Sequence, residues 1–176
     1  IPVNLANVAT VIRNAASMEM TGFELELMYQ VTEAWDLMVA YGYLEAEYKD
    51  YLADLTGDGI ITDNSGLIPR NTPENTFGFT TSYTTQIGDG ELKGRISYRF
   101  RDEMNSDSSN NPYGDLDSIE NINATIGYTI DNYSVTIWGR NLTDEREQRW
   151  ATIGGLTSRG WWNEPQTLGI TFAASY

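Results

Sequence analysis

The chain has no cysteine and no histidine. Without cysteine there is no disulfide scaffold, no zinc–thiolate site and no thiol nucleophile. Without histidine the commonest general base is missing, so neither a Ser-His-Asp nor a Cys-His mechanism can be assembled from these 176 residues. Positive charge is scarce: 11 Lys and Arg stand against 25 Asp and Glu, a net charge of −14. That balance repels phosphate backbones and argues against a nucleic-acid partner. It suits a soluble surface and a bacterial extracellular loop equally well. A run of about 18 apolar residues is also lacking, so no helix is expected to span a membrane. The mean hydropathy of −0.41 would ordinarily suggest a soluble protein. Such averages are blind to barrels, whose strands alternate lipid-facing and lumen-facing residues. The opening Ile1-Pro-Val-Asn-Leu5 has neither a basic start nor an apolar core. No signal peptide is read there, and the chain is taken as a mature product or a fragment.

What the sequence does contain is alternation. In Gln166-Thr-Leu-Gly-Ile-Thr-Phe-Ala-Ala-Ser-Tyr176, residues Leu168, Ile170, Phe172, Ala174 and Tyr176 share one face of a strand. Thr167, Gly169, Thr171, Ala173 and Ser175 share the other. The same pattern occupies residues 121–130, where Ile122, Ala124, Ile126, Tyr128 and Ile130 oppose Asn121, Asn123, Thr125, Gly127 and Thr129. Asp131-Asn132 then reads as a tight turn into a strand over 133–140. Residues 77–87 and 92–101 form another such hairpin around Gly88-Asp-Gly90, and residues 17–31 and 35–48 a third around Thr32-Glu-Ala34. The propensity of 33–47 permits a helix, but its aromatics would scatter round a helix, whereas they align on a strand.

Connections alternate in length. Short turns follow the first, third and fifth strands; long polar segments, roughly 49–74, 102–118 and 142–163, follow the second, fourth and sixth. Short turns on one side and long loops on the other are what outer-membrane barrels show. Tyr29, Trp35, Tyr128, Tyr133 and Tyr176 gather toward the short turns; Tyr41, Tyr43, Phe77, Phe79, Tyr98 and Phe100 gather toward the long loops. Two aromatic belts are expected where strands cross two interfaces. The expected fold is all-β: an antiparallel meander of about seven strands, part of a transmembrane β-barrel and an open curved sheet if isolated. A soluble antiparallel sandwich also alternates, but its outer face would be richer in Lys and Glu.

Four segments carry a family resemblance. They are Asn14-Ala-Ala-Ser-Met-Glu-Met-Thr-Gly-Phe-Glu-Leu-Glu-Leu27, Ile68-Pro-Arg-Asn-Thr-Pro-Glu-Asn75, Trp138-Gly-Arg-Asn-Leu-Thr-Asp144 and Glu164-Pro-Gln-Thr-Leu-Gly-Ile-Thr-Phe172. In this order and spacing they resemble the C-terminal part of TonB-dependent outer-membrane receptors, over about residues 14–176, with Gln166 where the family usually has Arg. The resemblance implies a Gram-negative outer membrane and a barrel of about 22 strands plugged by an N-terminal domain. It also implies uptake of a scarce ligand such as an iron–siderophore, cobalamin or a glycan. TonB would drive that uptake through the plug. Neither a plug nor a TonB box is read here, so residues 1–176 are expected to be a C-terminal barrel fragment. A terminal aromatic strand is, by resemblance, the signal for the barrel-assembly machinery, which assigns that role to Phe172 and Tyr176.

Candidate site residues fall into three groups. Inward charges are Glu24 and Glu26 on one strand, Arg95, Arg99 and Arg101 on another, and Arg140 on a third. They either guide an anionic ligand and the plug, or pair among themselves along a wet wall. Loop residues Arg146, Arg149, Trp150, Arg159, Trp161 and Trp162 are placed to stack on a ligand at the mouth, or to form an interface belt. Asp54-Leu-Thr-Gly-Asp-Gly-Ile-Ile-Thr-Asp63 resembles the start of a calcium loop through Asp54, Asp58 and Asp63, but Ser65 stands where the closing Glu belongs, so an Asp-Gly turn is the plainer reading. No catalytic residue and no cofactor is expected, and the partners are outer-membrane lipid and a small-molecule ligand. Two rivals remain. A complete eight-stranded barrel of structural or adhesive role would require 1–12 to pair with the final strand. A soluble carbohydrate-binding sandwich would be free in solution.

Overall fold

The computed structural model describes residues 17–154 and 157–176. Its strands are β1 (Ser17–Thr32), β2 (Trp35–Asp50), β3 (Leu52–Ala53), β4 (Thr62–Asp63), β5 (Asn75–Ile87), β6 (Gly90–Arg101) and β7 (Met104–Asn105). They continue with β8 (Asp115–Leu116), β9 (Ile119–Ile130), β10 (Tyr133–Arg140), β11 (Gln148–Gly154), β12 (Thr157–Trp162) and β13 (Thr167–Ala174). Seven strands form one antiparallel sheet in the order β1-β2-β5-β6-β9-β10-β13, a meander without crossovers. The period-2 pattern places each long strand, and the tight turns fix its register. Asp131 and Gly88 take the left-handed backbone (φ 47° and 61°) that two-residue hairpin turns require.

Register turns the alternation of single strands into two continuous faces. Across the sheet, Trp35, Tyr83, Gly94, Ile126, Ile137 and Ile170 lie in one row, and Leu37, Thr81, Ile96, Ala124, Gly139 and Leu168 in the next. Toward the long loops, Tyr41, Phe77 and Phe100 align, with Phe23 5.6 Å from Tyr41 between ring centroids. Thr81 looks out of place on this apolar face until its bonds are traced. Its hydroxyl accepts the Trp35 indole N–H at 2.7 Å and donates to the Asp36 carbonyl. A buried or lipid-facing indole N–H needs such a partner.

Among the described residues nothing covers the apolar face. Among the described residues only Ala46, Ala53 and Leu116 are buried hydrophobics, and all three lie toward the long-loop end. Leu25, Ile137 and Ile170, at mid-length of β1, β10 and β13, remain 56%, 54% and 60% exposed. A sandwich would bury just these residues between two sheets. The rival sandwich is therefore overturned: there is one large sheet, and the other three sheets among the described residues are two-stranded. No ladder joins β1 to β13 among the described residues, and the segment the eight-stranded alternative needs, 1–12, lies outside them, as does Asn14.

The long connections hold more order than the sequence suggested. Each contains a small hairpin: β3–β4, β7–β8 and β11–β12. The first two have two-residue strands, too short to carry a periodic signal, and are tied by side chains. Asn64 Nδ2 donates to Ala53 O at 3.0 Å, and Asn105 Nδ2 donates to Asp115 Oδ1 at 2.6 Å. The first hairpin matches its expected bounds to within two residues. β1 and β2 keep pairing beyond the aromatic row, where Lys49 bridges Glu19 (3.6 Å) and Glu47.

Candidate ligand site on the polar face

The polar face carries the charges. Register puts Glu24 in line with Gly42, Thr76 and Arg101, and Glu26 in line with Ala40, Gly78 and Arg99. Three strand spacings, roughly 14 Å, separate each glutamate from its arginine. Neither glutamate forms an ion pair among the described residues, and both lie on β1, an edge strand of the sheet. Arg95 lies apart, beside a hollow lined by Met28, Gln30, Asp36, Met38 and Ser82.

At the long-loop end the structure gathers Arg99, Arg140, Arg149 and Trp162 around a cavity of about 480 Å³. Asn121, Asn123, Asn141, Glu147, Asn163 and Glu164 complete most of its wall. Arg140 sits over the Trp138 ring, 5.3 Å from its centroid. Trp138 is held in turn by its indole N–H, which donates to Thr171 Oγ1 at 3.1 Å. Gly169 leaves room for that ring, since a Cβ there would collide with it. Arg149 owes its position to a β-bulge. Gln148 faces Trp162 and Trp150 faces Trp161, so Arg149 is the extra residue. Bulges re-aim side chains in this way.

Below the cavity, Arg101 reaches Glu147 at 3.3 Å, with side chains only 13% and 10% exposed. The same guanidinium donates to the carbonyls of Asp102 (2.8 Å) and Asp117 (3.1 Å), so one inward arginine ties two loops together. Glu147 also meets the exposed Arg149 at 3.7 Å. Asn141 is the second anchor. It is 4% exposed with φ 49°, a conformation Asn tolerates better than most residues. Its amide donates to the Glu145 and Glu164 carbonyls (2.9 and 3.1 Å), and its oxygen accepts from Asn121 and Thr143 (3.2 and 3.1 Å). Its backbone N–H donates to Asn123 Oδ1 at 3.0 Å. The strand end of β10 and both ends of the third loop are thereby fastened to β9.

Sequence reasoning reached the arginines and Trp162 but missed Glu147 and the asparagines. Asn141 had a signal, its place in Arg140-Asn-Leu-Thr-Asp144. Glu147 lies in a stretch of mixed charge where nothing distinguishes it. Trp161, 71% exposed, pairs with Trp150 at 5.5 Å away from the residues that line the cavity. The Arg159 side chain lies outside the described residues.

The calcium-like loop is occupied by its own backbone. Asp54 accepts from the amides of Gly57 (2.6 Å) and Gly59 (2.8 Å), Asp58 from Ile60, and Asp63 from both the amide and hydroxyl of Ser65. The Gly59 amide above all holds the Asp54 carboxyl below its ordinary range; burial opposes it, and the Gly57 amide and the hydroxyl and amide of Thr56 add to the lowering. No group of three acidic side chains placed for a metal occurs among the described residues.

A single antiparallel meander with one uncovered apolar face, one polar face, and long loops at one end defines a segment of barrel wall. The match to known families agrees: residues 2–142 fit the TonB dependent receptor-like β-barrel model, and the chain belongs to that family. Three solved structures are similar. The ferric yersiniabactin uptake receptor of Yersinia pestis aligns over 93% of this chain and 24% of its own length, at 18% identity and a TM-score of 0.78. The siderophore receptor PiuA of Acinetobacter baumannii aligns over 90% of this chain and 22% of its own, at 21% identity and 0.71. The ferric preacinetobactin receptor of the same organism aligns over 89% and 22%, at 17% identity and 0.66. The chain thus spans about a quarter of the length of the receptors it matches.

Proposed function

We propose that this chain is the C-terminal barrel portion of a Gram-negative outer-membrane receptor that imports a ferric siderophore, energised by TonB through a plug. Membership of the TonB-dependent receptor family carries this reading. The similar receptors favour a siderophore over cobalamin or a glycan, since their ligands are ferric chelates or siderophores by name. In this reading the apolar face of β1, β2, β5, β6, β9, β10 and β13 meets outer-membrane lipid. The polar face lines the lumen, and the arginine-lined cavity opens under the external loops. The test is growth under iron limitation of a strain lacking the full receptor, supplied singly with a panel of ferric siderophores. Loss of growth on one of them, restored by the wild-type gene only when TonB is present, is the expected result. Unimpaired growth and uptake on every siderophore would end the siderophore assignment.

A further inference from the structure

We infer that the cavity between β6, β9 and β10 recognises an aromatic carboxylate, a planar anionic group read by Arg99, Asn123, Arg140 and Trp162. The inference rests on the uptake reading for its biological setting, but its chemistry comes from the cavity alone. Arg99 on β6 and Arg140 on β10 flank β9, which puts their backbones two strand spacings apart, on the order of 10 Å. Asn121 and Asn123 fill the interval. Neither Arg99 nor Arg140 forms an ion pair with a carboxylate among the described residues, although the protein carries a net charge of −14. Arginines left without a carboxylate in so acidic a protein form a local positive focus.

The Asn amides sharpen the chemistry. Asn121 donates to Asn141, and Asn123 accepts from the Asn141 backbone, so the Asn141 clasp fixes both carboxamides of the floor. That leaves the Asn123 Nδ2 group without a partner among the described residues, a free donor in a cavity that Arg99 and Arg140 also line. Three donor side chains lining one cavity suit an acceptor-only group, and a carboxylate with its two oxygens fits that description. Glu147 and Glu164 also line the cavity. Glu147 is already held by Arg101 and Arg149, which leaves Glu164 as the one carboxylate of this lining with no ion pair among the described residues, outnumbered by Arg99 and Arg140. Trp162, 61% exposed, also lines the cavity and offers an aromatic ring on which a planar group can stack.

The experiment uses the full receptor in detergent, titrated with benzoate and with benzamide, its uncharged counterpart, by ligand-observed NMR. Benzoate is expected to bind saturably and at least about fivefold more tightly than benzamide, since a charge-assisted hydrogen bond is roughly twice as strong as a neutral one. Arg99→Gln/Arg140→Gln should weaken benzoate by about tenfold or more while leaving benzamide nearly unchanged. Trp162→Leu should weaken both probes. Heat-modifiable migration on gels confirms that each variant barrel is folded. Equal binding of the two probes, benzoate affinity untouched by the arginine substitutions, or no saturable benzoate binding would each overturn the inference. These outcomes are separate from iron uptake: a receptor that binds benzoate as described yet imports no ferric siderophore would refute the uptake reading alone.

Discussion

Glu147→Gln should loosen the third loop far more than its surface neighbour suggests. In the native protein Glu147 faces two arginines of very different standing. Arg101 is 13% exposed in its side chain and Arg149 63%. Removing one charge from a buried pair costs about 3–5 kcal/mol when the other charge is left uncompensated. Arg101 would not be left entirely bare, because it keeps the Asp102 and Asp117 carbonyls, and glutamine keeps one oxygen to accept with. The cost therefore falls toward about 2 kcal/mol. The exposed pair with Arg149 is worth at most about 0.5–1 kcal/mol, so Arg149→Gln should be nearly silent. Amide hydrogen exchange reads the difference. The Asn163 amide donates to Glu147 O at 2.9 Å, and the Glu147 amide donates to Asn163 Oδ1 at 3.0 Å, so both report opening of the loop base. A loss of about 2 kcal/mol corresponds to roughly 30-fold faster exchange at these amides. Exchange in the β9–β10 ladder should not change. If Glu147→Gln and Arg149→Gln have equal, small effects, the Arg101–Glu147 pair does not hold the loop.

Other consequences follow from single residues. Asn141→Ala removes a clasp and strands the Glu145 and Glu164 carbonyls, and should cost about 2–3 kcal/mol in loop-base stability by the same exchange assay; Asn141→Asp should be as damaging, because its oxygens face those carbonyls. Gly22→Ala drives a Cβ into the backbone oxygen of Tyr43, so β1 should lose protection along its pairing with β2 while β9–β10 is unaffected. Asp54 has a folded pKa below its ordinary value of 3.8, so its stabilisation of the turn is fully present above that pH and is lost as the pH falls through the lowered value; the Gly57 and Gly59 amides, corrected for intrinsic exchange, should lose protection only in that acid range. Phe172→Ala/Tyr176→Ala in the full receptor should reduce the yield of heat-modifiable receptor in the outer membrane, as expected if these two aromatics present their strand to the assembly machinery; full assembly would remove that role.

The large sheet was legible in the sequence because its information is binary and long-range. Ten alternating residues state which face is apolar, and a two-residue turn such as Asp131-Asn132 fixes the register of both neighbours. The ends of β9 and β10 fell within two residues of expectation for that reason. The loop hairpins were illegible because β3, β4, β7 and β8 each have two residues and depend on Asx-type side-chain bonds, which have no period. The candidate cavity stood in between. Arg99 and Arg140 were marked by facing inward, but only the ladder shows that Asn121 and Asn123 lie between them. Arg149 was marked by its company of tryptophans, while the bulge that aims it depends on the pairing of Trp150 with Trp161. Thr81 shows the converse: by alternation alone it is a polar break in the apolar face, and its purpose appears only with the indole of Trp35.

The central claim is that the uncovered face of this sheet meets lipid while the opposite face lines a wet lumen. Spin labels placed singly in the full receptor, reconstituted in bilayers, test it directly at Leu25, Ile126 and Ile170 on one face and at Glu26, Thr125 and Thr171 on the other. Collisional accessibility should alternate, with oxygen relaxing the first set and a water-soluble nickel chelate the second. If the two sets respond alike, or if Leu25, Ile126 and Ile170 are open to the nickel chelate, the sheet is not a stave of a membrane barrel and the account fails.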